Sequence, residues 1–179
     1  MSRIYLPLIL FLLLVLQGVA VDLLPRFLVS GQTFIISHWV FAILIFITIY
    51  YDDNQSFNAV VYGVIFGLLI DIVYTNVLGV YMFTYGLIIY LVHRLKKSIN
   101  INFYSTMLFG VIGVILVDVL IYVIYSVVDL TNMTFGVYLF NRLLPTTLAN
   151  LIFLIVVYPL LKSRFLKWGN EHVSKGHSL

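Results

Sequence analysis

The sequence predicts an all-α membrane protein that crosses the bilayer six times, with both termini in the cytoplasm. Three observations predict it. Hydrophobic residues make up 63% of the 179-residue chain and charged residues 9%, with a mean hydropathy of +1.11; a soluble domain has about 45–50% apolar and about 25% charged residues. The apolar residues fall into six runs of membrane-spanning length. Lys and Arg gather on one side of those runs.

The spans are expected at residues 4–21, 33–51, 57–75, 77–92, 103–128 and 135–161, forming a single integral-membrane domain over 1–179. The first carries Arg3 before its apolar run and Gly18-Val19-Ala20 at its end, as a secretory leader would. Its apolar stretch is longer than a usual leader, so an uncleaved helix is expected. Leu8–Leu16 and Ile43–Ile49 lack the polar–apolar alternation of barrel strands, so the spans are helices. With the N-terminus inside, Arg3, Arg94, Lys96, Lys97, Lys162, Arg164, Lys167 and Lys175 lie on the cytoplasmic side, and Arg26 alone lies outside. The loops are short, and residues 162–179 form a basic tail.

These features exclude several functions. The net charge of +3 arises from short basic clusters beside apolar runs, which set orientation rather than track nucleic-acid phosphates. The chain has no cysteine, which removes disulfides, thiolate metal sites and cysteine nucleophiles. His38, His93, His172 and His177 are not spaced as metal ligands, and His93 beside Arg94 is expected at the interface. No phosphate loop, GxSxG or HExxH is present, so no catalytic, cofactor or metal residue is assigned.

The residues that stand out are charges inside spans. An unpaired charge at the bilayer centre costs about 2.5–3.5 kcal/mol on insertion scales. Asp118 lies twelve residues before Leu130 and Arg142 twelve after it. On antiparallel helices, equal counts from the turn give equal depth, so the two are expected to pair. Asp71 is a second candidate partner for Arg142. Two Asp residues could also form a protease dyad, but a neighbouring arginine would keep both charged. Arg142, Pro145, Thr146, Ala149 and Asn150 share one helical face, as do Gly110, Val114, Asp118 and Tyr122, and Gly63, Gly67 and Asp71. These stripes are expected to form a polar seam turned away from lipid. Gly63 and Gly67 make a GxxxG for close helix packing, within the chain or between copies. Pro145 is expected to bend its helix and to leave the Asn141 carbonyl without its usual donor.

Tyr62-Gly63-Val64-Ile65-Phe66-Gly67-Leu68-Leu69-Ile70-Asp71, continuing to Leu78-Gly79-Val80-Tyr81-Met82, resembles the central motif of the MreD family, as does Asn141-Arg142-Leu143-Leu144-Pro145-Thr146-Thr147 with Asn150. The family comprises small rod-shape-determining proteins of the bacterial cytoplasmic membrane. The resemblance implies a six-helix fold similar to the substrate-binding subunit of energy-coupling-factor vitamin transporters. It implies a scaffold without catalytic activity, whose partner is MreC, a bitopic protein with a large outer domain. The two would couple MreB filaments to peptidoglycan synthesis by a SEDS-type glycosyltransferase and a penicillin-binding transpeptidase. Gly63, Gly67 and Asp71 match the first motif; Arg142, Pro145 and Asn150 match the second; Asp118 belongs to neither. A second function stays open, the substrate-binding subunit of a vitamin or metal transporter, with His38, Asn76 and Tyr81 as candidate ligand groups.

Overall fold

A helix that is apolar all round has no face to give to water and belongs at the centre of its fold. Trp39–Phe46 is such a helix, and every residue from Val40 to Phe46 is buried. In the computed structural model, which describes residues 2–20, 33–53 and 55–176, the other long helices pack around it. In chain order these are α1 (Ser2–Ala20), α2 (Trp39–Phe46, continued by a π-turn at Ile47–Tyr51), α3 (Asn58–Tyr74) and α4 (Val80–Leu95, followed by a 3-10 turn at Lys96–Ser98). α5 is Phe103–Val127, α6 is the single turn Phe135–Tyr138, and α7 is Leu144–Gly176, with a π-turn at Leu139–Leu143 between the last two. The described residues contain no strand.

Phe103–Val127 and the joined stretch Phe135–Glu171 are long and apolar enough to cross a membrane. Ile4–Ala20, Trp39–Tyr51 and Asn58–Tyr74 are shorter apolar helices.

Three boundaries differ from expectation. Residues 33–38 are not helical; alternate residues bond to the last helix and the turn before it, as an extended chain does, and α2 begins only at Trp39. α4 begins at Val80, because Gly79 turns the chain through a left-handed φ of 97°. The last helix continues to Gly176, where the sequence predicts a span that ends at 161 and a basic tail after it. That extension is held by packing: Phe165 is fully buried, Trp168 stacks on Tyr5 with ring centroids 5.9 Å apart, and Gly169 lies against the backbone of Tyr50 and Tyr51. Arg26 and Val21 lie outside the described residues, as does His177, and the side chains of Arg3, His172 and Lys175 are likewise not described.

α3 and α4 form the closest helix pair, and the GxxxG stripe lies at their contact. A Cβ on Gly67 would stand 2.6 Å from the Tyr81 carbonyl oxygen and 2.7 Å from the Met82 Cα. Backbone cannot yield as a side chain can. A Cβ on Gly63 would meet nothing nearer than 3.5 Å. Gly110 and Gly113 make room for side chains instead, those of Leu154 and Phe41. Gly67→Ala is expected to lower stability by about 1–3 kcal/mol through overpacking, while Gly63→Ala leaves it nearly unchanged. Thermal unfolding of the two purified variants in one detergent checks the contrast, and equal losses would refute it.

Candidate functional site

The polar residues of the seam are distributed over three separate tasks. The first belongs to Asp71, fully buried in the last turn of α3. A carboxylate is unfavourable at a helix C-terminus, so its position needs a cause. The next helix supplies one. Gly79 opens α4 and has no side chain to cap it, leaving the first N–H groups without acceptors. Asp71 accepts all three nearby: Gly79 N–H at 2.9 Å and Met82 N–H at 3.1 Å on Oδ2, and Tyr81 N–H at 3.0 Å on Oδ1. The positive end of the α4 dipole balances the charge. Asp71 therefore does not partner Arg142, contrary to expectation; its charge is met by backbone.

The second task is the ion pair. Asp118 is fully buried in α5. Its Oδ1 accepts from Arg142 Nε at 3.2 Å and Nη2 at 3.0 Å, and its Oδ2 accepts the Tyr138 hydroxyl at 2.8 Å. The Tyr138 ring is held by Tyr122, stacked with centroids 3.9 Å apart. Behind the carboxylate lies His38, also fully buried. Its Nε2 stands 3.7 Å from Asp118 Oδ1, in ion-pair range but too far for a hydrogen bond. Its Nδ1 lies 3.0 Å from the Tyr85 hydroxyl. Among the described residues His38 Nε2 has no hydrogen-bond partner. Asp118 thus joins α5 to α6, to the π-turn that carries Arg142 and to the residue that precedes α2, and His38 extends the network to Tyr85 on α4.

The third task is to hold the extended segment. From 34 to 37 the chain makes no helical hydrogen bonds, and only the carbonyl of His38 joins the helix, to Ala42 N–H at 2.9 Å, so the other peptide groups need other partners. α7 and the π-turn before it supply them in step. Phe34 N–H donates to the Asn141 carbonyl at 2.8 Å, the acceptor that Pro145, lacking an N–H, leaves open. Ile36 N–H donates to Thr146 Oγ1 at 3.1 Å. Thr146 Oγ1 in turn donates to the Phe34 carbonyl at 3.4 Å, and Asn150 takes two further groups: its Oδ1 accepts from His38 N–H at 2.8 Å and its Nδ2 donates to the Ile36 carbonyl at 2.8 Å. The register follows from two rises. Two extended residues advance about 6.6 Å, and four helical residues about 6 Å. Every second residue of the segment therefore meets one turn of the helix.

The π-turn makes these tasks compatible. Its extra residue rotates the helix beyond it, so Arg142 faces Asp118 while Thr146 and Asn150 face the extended segment. Pro145 and Ala149 turn elsewhere and line an apolar groove of about 540 Å³ with Ile35, Ser37 and Trp39. The expected single stripe is thus split three ways.

At the opposite end of α2, Lys96 is buried and donates to the carbonyls of Thr48 at 2.6 Å and Asp52 at 2.7 Å. It closes the end of the π-turn. Asp52 accepts Ala59 N–H at 2.8 Å and Asn58 Nδ2 at 3.0 Å, capping α3. Burial pulls the Lys96 ammonium below its ordinary range and pushes the Asp52 carboxyl above its own. His93 is fully buried, its ring 4.7 Å from that of Phe57.

Of the sequence candidates, Asp118 and Arg142 meet each other, Asn150 meets the extended segment, and Gly63, Gly67 and Asp71 serve the α3–α4 contact. Sequence reasoning does not assign these contacts to His38, Tyr85, Tyr138 or Lys96. The signal for Tyr138 is its place one turn before Arg142. Among the described residues, no three His, Cys, Asp or Glu side chains group to hold a metal ion.

A helical membrane protein whose buried charges are spent on its own helices is the class these contacts define. Similarity to known proteins narrows it. The sequence model of one family, rod shape-determining protein MreD, matches residues 2–167. The chain is 31% identical over 160 residues, 89% of its length and 91% of the relative's, to the rod shape-determining protein MreD of Bacillus subtilis. It is 25% identical over 120 residues, 67% of its length and 71% of the relative's, to the cell shape-determining protein MreD of Streptococcus pneumoniae. No solved structure matches. The chain belongs to the MreD family of rod shape-determining proteins.

Arg142→Ala is expected to leave Asp118 buried beside a hydroxyl and an imidazole, and to cost about 3–5 kcal/mol. The double variant with Asp118→Leu should recover much of that loss, because it removes the stranded charge as well. A double-mutant cycle on thermal stability measures the coupling, and strictly additive losses would refute the pair.

Proposed function

We propose that this chain is a non-catalytic scaffold of the bacterial wall-elongation complex. It crosses the cytoplasmic membrane six times, with both termini inside. It holds an MreC-like bitopic protein, and through it helps couple MreB filaments to the SEDS-type glycosyltransferase and penicillin-binding protein that build peptidoglycan. One observation carries the reading. The three charged side chains within the spans are spent internally: Asp71 on backbone N–H groups, Asp118 and Arg142 on each other. What faces outward on the last helix is apolar, with Leu148, Ile152, Val156 and Leu160 all exposed. Such a surface suits lipid and the helices of other membrane proteins. The names of the relatives, rod and cell shape-determining proteins, support a role in shape.

The transporter-subunit reading has less support. It draws on His38, Asn76 and Tyr81 as ligand groups, yet His38 and Tyr81 are buried and their rings lie 6.3 Å apart in contact with Tyr85.

The topology is directly testable because the chain has no cysteine of its own. Single cysteines at Asn76 and Asn132 should react with an impermeant reagent added outside intact cells, and one at Ser98 only after lysis. Labelling of Ser98→Cys in intact cells would overturn the six-span arrangement. For the partner, mild-detergent purification from native membranes should recover the MreC-like protein together with wall-synthesis enzymes. Recovery of ATPase subunits and a coupling protein instead would make the chain a transporter component.

A further inference from the structure

In an extended segment, successive residues present their peptide N–H and C=O to opposite edges. Phe34, Ile36 and His38 present theirs to α7 and its preceding turn, where Asn141, Thr146 and Asn150 meet them. Ile35 and Ser37 present theirs to the other edge, where no described residue forms a hydrogen bond with them. The segment runs beside residues 141–150, within the expected last span of 135–161, so that edge lies at membrane depth. There an unmet peptide group costs several kcal/mol, and water enters only where the surroundings are polar. The groove beside it is apolar: apart from Ser37 its lining is Ala20, Ile35, Trp39 and α7 side chains from Pro145 to Val156.

The bonded edge shows what satisfies this arrangement. A single carboxamide, Asn150, accepts from the N–H of one residue and donates to the C=O of the residue two before it. Ser37 N–H and Ile35 C=O form the same pair on the free edge. We propose that this edge and the groove beside it are the docking site for a transmembrane helix of a partner protein, which inserts an Asn or Gln side chain against Ile35 and Ser37. The inference rests on the scaffold reading above and deepens it by naming the surface and the recognition chemistry. An acyl chain fills the groove but offers no hydrogen bond. A second copy of this chain has fewer amides to give, because two of those within its spans, Gln17 and Asn150, already serve internal contacts. A partner helix lies in the membrane without exposing its own backbone, and brings the amide on a side chain.

The test uses the full-length chain co-expressed with the MreC-like bitopic protein of the same cell, purified together in mild detergent. Ser37→Pro removes the proposed donor while leaving every bond to α7 in place, and it suits extended backbone. Ala149→Phe fills the groove. Each is expected to lower recovery of the partner about tenfold, one such bidentate contact's worth, with thermal stability of the purified chain unchanged. Replacing the partner's membrane-embedded Asn or Gln by Leu should have the same effect. If wild type recovers no such partner, the scaffold reading fails. If wild type recovers it and both variants recover it equally, the docking inference is overturned while the scaffold reading stands. A partner span with no Asn or Gln also overturns it. So does native mass spectrometry in which Ala149→Phe loses a bound lipid or a second copy of the chain but keeps the partner. Should Ser37→Pro unfold, Ala149→Phe decides.

Discussion

A peptide group that is not hydrogen-bonded cannot be left in hydrocarbon, and this chain departs from regular helix at several places within its apolar runs. Three of these departures are matched by a polar side chain aimed at backbone. The extended stretch before α2 is met by Thr146 and Asn150. The left-handed turn at Gly79 is met by Asp71. The π-turn that ends α2 is met by Lys96. Polar residues of this kind attract a functional reading, yet here most of them mend the main chain. Asp118 and Arg142 are the exception, joining side chain to side chain across α5 and the last span.

The two π-turns have opposite uses. The one at Ile47–Tyr51 ends its helix against α7. The one at Leu139–Leu143 lies within a single long apolar stretch and changes which way its residues point. Without it, Arg142 and Thr146 would stack on one face. With it, one helix addresses both a carboxylate on α5 and the backbone ahead of α2. Pro145 belongs to the same device, since it frees the Asn141 carbonyl that Phe34 N–H takes up.

Helix positions are legible in the sequence because long apolar runs leave few options. The Asp118–Arg142 contact is legible because depth on antiparallel helices comes from counting along the chain. The fate of Asp71 is not: a carboxylate near an arginine in sequence logic resembles an ion pair, and only the start of α4 reveals the unmet N–H groups beside it. Residues 33–38 are also illegible as extended chain. Phe34-Ile35-Ile36 continues the hydropathy of the helix after it, and hydropathy is blind to backbone conformation. The available hint lies elsewhere, in Thr146 and Asn150, whose side chains are the right length to serve main-chain groups. His38 stays hidden for the same reason, because its contacts depend on where the helix begins.

The last helix touches α2 at both ends. Near its start Asn150 holds the His38 N–H, and near its finish Gly169 sits against the carbonyl of Tyr50, close enough that a Cβ there would stand 2.6 Å away. Asn150 and Gly169 are 19 residues apart in the sequence, about 30 Å at the helical rise. A rod pinned at two such distant points can neither slide nor pivot against its neighbour. α2 and α7 are therefore tied at both ends of the shorter helix, so a change in one end of that pair is felt at the other.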